Sequence, residues 1–155
     1  MAIASQLKEV LDKAHVPYRV EEHPLSYTAQ YTAQVSHVKG EEMVKTVIVS
    51  AEGVHCMLAL PASRQIDMGA LEEMMGTHDI HLAEEREFVS EFPECELGAM
   101  PPVGTIFNMK LIAADRLRED EEIAFNAGNH REIVRMNRKD WEKLAHPVWG
   151  HFTRP

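Results

Sequence analysis

The chain has 155 residues, 45% of them hydrophobic and 26% charged, which is the usual balance of a folded globular protein. This length predicts one domain, over residues 1–155, that is large enough to bury a real core. The formal net charge of -9 excludes a general duplex-DNA binder, because such a protein needs a broad basic face to displace counterions.

Membrane and secretion signals are not expected in this sequence. It has no apolar run near ~20 residues, the length that a transmembrane helix requires. Its start also lacks the basic segment followed by an apolar one that is typical of a secretory signal. The two cysteines, Cys56 and Cys95, fit no metal-ligand spacing and are too few for a disulfide framework. We therefore expect a reduced, cytoplasmic protein.

Two helices are predicted in the first quarter of the chain. Apolar residues at helical spacing indicate a helix over residues 5–15, with Ser5 as its N-cap. The doubled Tyr-Thr-Ala-Gln of residues 27–34 opens a second helix. We expect Thr28 or Thr32 to cap this helix and Gly40 to end it.

Strands are predicted where β-branched residues and alternation dominate. The strongest covers residues 44–51 and is joined by a Glu52-Gly53 turn to a hairpin partner over residues 54–60, with Pro61 stopping the pairing. Further strands are expected over residues 18–20, 80–83, 106–113, 123–126 and 132–136.

The remaining helices are predicted over residues 67–75, 84–91 and 138–145. Residues 93–104 hold three prolines and two glycines, so regular structure is not expected there, and residues 146–155 show no clear period. Because helices mix with hairpin-linked strands without strict alternation, the pattern favours an α+β fold with a mixed sheet over a doubly wound fold.

Several common catalytic motifs are missing from the sequence. It has no glycine pattern suited to phosphates, no G-x-S-x-G and no H-E-x-x-H. His78 and His81 are three residues apart in a predicted strand or turn, and we interpret them as surface residues rather than zinc ligands. Period two places Cys56 on the same strand face as Val54 and Leu58, which indicates a buried structural thiol.

One lysine lies inside the strongest predicted strand. Period two places Lys45 on one face with Val47 and Val49. Such a lysine either extends past the end of the sheet or points into a cleft, and the pattern alone favours the first reading.

Two glycine segments follow later in the chain. Gly98-Ala99-Met100-Pro101-Pro102 is a loop stiffened by proline, which can aim backbone N–H groups at a developing oxyanion, although a structural crossover is its commoner use. Residues 126–130 contain Gly128, which permits a tight turn, and His130, which could face a pocket beside it. Alone, this second segment is an ordinary hairpin turn.

Taken in order, these features resemble the YbaK / prolyl-tRNA synthetase editing-domain family, as a free-standing member. The matching segments are Thr32-Ala33-Gln34 with Gly40, residues 44–49, Pro61-Ala62, Gly98-x-x-x-Pro102, residues 114–117 and residues 125–128. The resemblance covers roughly residues 5–145. It implies an α+β domain with a large mixed sheet flanked by helices, and hydrolysis of the ester that joins a wrong amino acid to tRNA.

The resemblance also implies the roles of individual residues. Lys45 would hold a phosphate or the terminal sugar at the tRNA 3′ end, and the catalytic loop between Gly98 and Pro102 would touch the substrate carbonyl. The further residues implied in substrate binding are Thr46, Ala99, Met100, Pro101, Gly128 and His130. No metal and no organic cofactor is implied. Val103, directly after Pro102, departs from the pattern expected of relatives and leaves the substrate open.

This chemistry suits a sequence without a catalytic triad, because an aminoacyl ester is already reactive and needs mainly positioning and charge stabilisation. A synthetase rejects smaller residues poorly, so alanine, serine, cysteine and threonine esters, often on tRNA-Pro in this family, are the candidate substrates.

The expected partners are the aminoacylated tRNA 3′ end and an aminoacyl-tRNA synthetase, without DNA or a membrane. The alternatives are a non-catalytic module that binds tRNA or a synthetase, and a hydrolase of small esters or amides.

Overall fold

The fold is built on an eight-stranded mixed sheet in the computed structural model, which describes residues 4–155. The strands of this part of the chain are β1 (Tyr18–Glu22), β2 (Met43–Ala51), β3 (Val54–Pro61), β4 (Gln65–Ile66), β5 (Ile80–Leu82), β6 (Lys110–Ala114), β7 (Glu122–Asn126), β8 (Glu132–Asn137), β9 (Val148–Gly150) and β10 (Thr153–Arg154). The order across the large sheet is β1-β8-β7-β2-β3-β6-β9, with β5 beside β2, while β4 and β10 form a separate pair. The pairs β2–β7, β3–β6 and β6–β9 are parallel.

The helices pack on both faces of this sheet. Within residues 4–155 the α-helices are α1 (Ser5–Lys13), α2 (Ala29–Val35), α3 (Met68–Met75), α4 (Glu85–Phe88) and α5 (Arg138–Ala145). The expectation of an α+β domain with a large mixed sheet flanked by helices is confirmed. No helix of the described residues has the length and apolar character needed to cross a bilayer.

Alternation along β2 divides the core into two faces. Val44 and Ile48 belong to the larger core, where the loop residue Met100 and the buried Trp141 of α5 also pack. On the opposite face, Leu71 of α3 packs with the β2 residue Val49, and Ala33 of α2 packs with Met43. Because side chains alternate along a strand, Lys45 lies on the face that α2 and α3 cover.

The ends of the first two helices differ from the prediction. Ala4, not Ser5, is the N-cap of α1, and the Ser5 N–H donates to the Glu94 carboxylate at 3.1 Å instead. Helix α2 is capped by Thr28 as expected but ends at Val35 rather than at Gly40. Its end is set by His37, which takes a left-handed conformation with φ +56°.

Two strand predictions also need correction, and the tail forms strands that were not predicted. Pro61 pairs with Val44 as the last residue of β3 and does not stop the pairing before it. The segment predicted as a strand over residues 106–113 begins instead with a 3-10 turn (Gly104–Phe107), which ends at a left-handed Asn108, so β6 starts later. The tail without a period holds β9 and β10, which are too short to show one.

Candidate functional site

A gap in the large sheet lies beside β2. Strands β2 and β7 are bridged only through Met43 with Ala124 and Val44 with Phe125, and β5 occupies the same edge of β2 from Val49 onward. Residues 45–47 of β2 therefore have no strand partner on this edge within the described chain. Parallel strands that separate at their carboxyl ends form a common type of ligand crevice.

Lys45 is the first residue of β2 beyond the last bridge to β7. Its side chain is half-buried, and no described residue accepts a hydrogen bond from its ammonium or forms an ion pair with it. Burial lowers the pKa of Lys45 from its ordinary 10.5, and no carboxylate opposes this effect. A partly desolvated cation without a counter-ion is unfavourable alone and well suited to bind an anionic ligand.

Asn126 is the corresponding first residue of β7 beyond the same bridge. It is 7% exposed, and its Oδ1 is buried without a hydrogen-bond partner. Since Phe125 shares a face with Val44, the next residues of the two strands, Asn126 and Lys45, both emerge on the opposite face. The crevice therefore carries a free ammonium and a free carboxamide oxygen on one side of the sheet.

The loop Gly98–Pro102 is fixed to the end of β7. Gly98 has φ +85°, a conformation that favours glycine. The Gly128 N–H donates to the Ala99 carbonyl at 3.0 Å, and the Glu96 N–H donates to the Gly128 carbonyl at 2.8 Å. At the far end of the loop, Trp141 Nε1 donates to the Pro102 carbonyl at 3.0 Å. These bonds hold the loop in one shape against the turn that contains Gly128.

One backbone donor of this loop has no acceptor among the described residues. The Ala99 N–H donates to the Glu96 carbonyl and the Val103 N–H to the Pro101 carbonyl, while the two prolines have no N–H. The Met100 N–H makes no such bond, although Met100 is only 4% exposed. A backbone N–H without a partner in a buried residue is rare, and such a group is a candidate donor to a ligand oxygen.

His130 lies against the loop and is 5% exposed. Its Nε2 is 2.8 Å from the Leu97 carbonyl, which can only accept, so Nε2 carries the proton and Nδ1 of the neutral ring is an acceptor. A Cβ added to Gly98 would lie 3.4 Å from His130 Cε1. The Tyr27 ring, 68% exposed, packs on the imidazole with ring centroids 4.8 Å apart.

The thiols offer no ready nucleophile. Burial, reinforced by Glu94, raises the pKa of Cys95 to about 11, and its Sγ lies close to Gly128. Burial also raises the pKa of Cys56, which lies in the core beside α3. Both sulfurs therefore stay protonated at neutral pH, and a thiolate mechanism is not favoured.

The predicted site residues lie in two places. Hydrogen bonds and close packing bring Gly98, Ala99, Gly128 and His130 together at the loop. Lys45 lies on β2, which is joined to β7 by the Val44–Phe125 bridge. Thr46 alternates with Lys45, so its side chain lies on the opposite face, between Val44 and Ile48.

Three features of the candidate site were not predicted from the sequence. These are the Asn126 carboxamide, the Met100 N–H and the exposed Tyr27. A sequence signal existed for Asn126, because it is a polar residue that directly follows the apolar Ile123-Ala124-Phe125 in a strand. The free N–H depends on loop geometry, which no residue pattern shows.

The described chain is a mixed α+β domain in which a proline-containing loop is hydrogen-bonded to the turn after β7. Residues 23–144 match the family described as "Aminoacyl-tRNA editing domain", which is most of the chain. The chain therefore belongs to the aminoacyl-tRNA editing-domain family, and it is an aminoacyl-tRNA deacylase.

Individual relatives agree with this family. The chain is 27% identical over 154 residues to a "Multifunctional Ser/Thr-tRNA deacylase ProXp-y" of Escherichia coli strain K12, a match that covers 96% of this chain and 92% of the relative. A crystal structure provisionally assigned as a trans-editing enzyme for prolyl-tRNA synthetase superposes with a TM-score of 0.84 at 20% identity, covering 98% of this chain and 97% of that one. The structure of hypothetical protein APE2540 gives 0.86 at 18% identity, covering 97% and 100%. The two structures support the fold.

Proposed function

We propose that this chain, acting in trans as one domain over residues 1–155, hydrolyses the ester of mischarged tRNA that carries alanine, serine, cysteine or threonine. The observation that carries the proposal is Lys45, a half-buried cation without a counter-ion among the described residues, at the point where β2 and β7 separate. An RNA 3′ end supplies the anion that this position lacks. The serine and threonine named for the Escherichia coli relative lie within this substrate class.

In the proposed reaction, Lys45 binds a phosphate or the terminal sugar of the tRNA 3′ end as a fixed point charge. The loop Gly98–Pro102 lines the amino-acid pocket, and the Met100 N–H donates to the carbonyl oxygen of the ester. Water attacks the carbonyl carbon, and the negative charge that develops on the oxygen is stabilised by this donor. Collapse of the tetrahedral intermediate breaks the bond to the ribose oxygen, which leaves with the proton that the attacking water gives up, so the amino acid is released. If a neighbouring ribose hydroxyl attacks first, the acyl group moves to that oxygen, and water then hydrolyses the new ester in the same way.

The rate acceleration expected from these interactions is sufficient for a deacylase without a covalent nucleophile. One well-placed backbone donor to an oxyanion contributes ~2.7–4 kcal/mol, or roughly 10²–10³ in rate. Fixing the attacking oxygen against the carbonyl contributes several kcal/mol more. Both effects need a rigid frame, which the bonds from Gly128 and Trp141 to the loop provide.

Size exclusion follows from the same rigidity. Residues 99–102 are all buried, and the two prolines restrict the loop's backbone. A pocket bounded by such a loop admits a small side chain and excludes a larger one. A second sieve of this kind is useful because one missing methylene changes synthetase binding by only ~1–3 kcal/mol.

The partner in this proposal is the single-stranded end of tRNA rather than its duplex. With a net charge of -9, binding to whole tRNA is expected to be weak and strongly salt-dependent. The exposed ring of Tyr27 beside His130, with Tyr31 nearby in sequence and also exposed, offers a stacking surface for an unpaired base. A prolyl-tRNA synthetase that releases mischarged tRNA-Pro in the cytoplasm is the proposed source of substrate.

A deacylation panel tests the proposal. Transfer RNAs charged with alanine, serine, cysteine, threonine and proline are incubated with the wild type and with Lys45→Ala, and the released amino acid is measured. We expect release of one or more of the small amino acids and a loss of roughly 10- to 100-fold in kcat/KM in the variant, the value of a charged hydrogen bond. Lys139→Ala is the matched control, since Lys139 is an exposed lysine on α5.

Each contrary result has a separate meaning. Release of none of the five amino acids favours the non-catalytic module that binds tRNA or a synthetase. Release that Lys45→Ala leaves unchanged keeps the deacylase but removes the role of this lysine.

A further inference from the structure

The Asn126 carboxamide is a buried polar group that the proposed reaction does not use. It is more than nine-tenths buried, and its Oδ1 has no hydrogen-bond partner among the described residues. The three residues before it in β7 are apolar and almost completely buried. Because buried polar side chains are nearly always hydrogen-bonded, an amide retained in this strand without a partner indicates a ligand.

Asn126 lies between the two halves of the crevice. On one side, the bridge between Val44 and Phe125 places it next to Lys45, with both side chains on the same face of the sheet. On the other side, Gly128 follows two residues later and donates to Ala99 in the catalytic loop. A small group that reaches from the cation along the end of β7, where the loop is attached, would therefore meet this carboxamide.

The chemistry of the carboxamide limits what this group is. An amide both accepts and donates, which matches a neutral hydroxyl. An ammonium is disfavoured because the Lys45 cation is adjacent, and a phosphate offers no donor to the free Oδ1. A hydroxyl therefore fits this position best among the groups of an aminoacylated RNA end.

We propose that Asn126 binds the side-chain hydroxyl of a seryl or threonyl ester and gives this enzyme its preference for these esters over the alanyl ester. This inference rests on the proposed function, in which the crevice receives a small aminoacyl group. A substrate without the hydroxyl leaves the buried amide of the pocket unpaired, so the pocket discriminates strongly against it.

The test compares wild type with Asn126→Leu, which removes the amide and keeps the number and branching of the side-chain heavy atoms. We expect kcat/KM to fall by about 10- to 100-fold for seryl- and threonyl-tRNA and to change by less than about threefold for alanyl-tRNA. Activity on alanyl-tRNA also reports that the variant is folded. Asn108→Gly is the matched control, because Asn108 is an exposed asparagine with a left-handed backbone that glycine also adopts.

A binding experiment tests this inference separately from the proposed function. Short tRNA acceptor-stem helices ending in a non-hydrolysable seryl or alanyl amide are titrated against both proteins. We expect the wild type to bind the seryl amide more tightly and Asn126→Leu to bind the two equally. If wild type hydrolyses no ester, the proposed function fails, but a seryl preference that Asn126→Leu abolishes still supports the role of Asn126.

Two results overturn the inference while leaving the deacylase intact. An equal loss on all three esters means that Asn126 contacts a part common to them, such as a ribose hydroxyl. Unchanged kinetics and unchanged binding mean that a water molecule satisfies the amide.

Discussion

Lys45 of β2 and Asn126 of β7 are the first residues beyond the last bridge between their strands, and their side chains share one face of the sheet. The chain after Asn126 leaves β2 and turns at Gly128, which has φ +100°. Because β7 turns away here, the two polar side chains lie at an opening rather than in a continuous ladder. The crevice is thus a direct result of where one parallel pair ends.

The alkaline pH dependence of substrate binding depends on Lys45. Burial lowers the pKa of Lys45 from 10.5, so its charge is lost at a lower pH than that of a free lysine. Affinity for a non-hydrolysable aminoacyl-amide RNA end should fall on the alkaline side before pH 10.5. Lys45→Arg should flatten this fall, because a guanidinium does not lose its proton. Titrations from about pH 7 to 10 measure the effect, and identical alkaline profiles would contradict it.

Gly98 is expected to be important for the rate rather than only for the fold. In Gly98→Ala, a Cβ is forced into a left-handed backbone at φ +85° and to 3.4 Å from His130 Cε1. We expect the free energy of unfolding to fall by ~1–2 kcal/mol and kcat to fall roughly 10- to 100-fold, because the loop donors move.

The chain offers a matched control for this substitution. Gly53, in the turn between β2 and β3, has φ +80° with nothing within 4 Å of an added Cβ. Gly53→Ala should lower stability by a similar amount and leave kcat unchanged. Equal kcat values in the two variants would show that the loop's conformation does not control the reaction.

Asp120 should make stability depend on pH in a direction unusual for a carboxylate. Burial raises its pKa from 3.8 to about 6, although Arg116 at 3.5 Å opposes this, and its Oδ2 has no partner among the described residues. Because the folded-state pKa is the higher one, the folded chain binds a proton that the unfolded chain has lost between these values. The contribution of Asp120 to stability is therefore greatest at low pH and is lost as pH rises to about 6.

Asp120→Asn removes this dependence. We expect the variant to match wild type near pH 4 and to exceed it at pH 7 by ~1–3 kcal/mol, the upper value corresponding to the whole raised pKa, in which the attraction to Arg116 is already included. Urea unfolding of both proteins across this range gives the difference. A constant difference from pH 4 to 7 would contradict the assignment, since all other groups are the same in the two proteins.

Local patterns predicted most of the elements correctly. Helix α5 (Arg138–Ala145) matches its predicted range, because an asparagine cap, an apolar stripe and a following proline mark it. The sequence did not indicate the end of α2, because His37 rather than a glycine takes the left-handed conformation. The tail was also beyond prediction, since β9 gains its stability by pairing with β6, a contact distant in the chain.

The site was predictable in composition but not in geometry. The resemblance drew attention to Lys45, the Gly98–Pro102 loop and His130, and alternation already placed Lys45 on a buried face. The parting of β2 and β7 depends on how many bridges a parallel pair forms. No residue pattern states that number, so the proximity of Asn126 to Lys45 required coordinates.

Ala4 has a practical consequence for handling this enzyme. Its N–H donates to the Ala127 carbonyl at 2.9 Å, and a Cβ on Gly128 would lie 2.9 Å from the Ala4 Cβ. An affinity tag fused ahead of the chain is therefore attached only a few residues from the turn that carries His130. Removing such a tag before the assay should therefore leave the rate unchanged only if the tag does not disturb this contact.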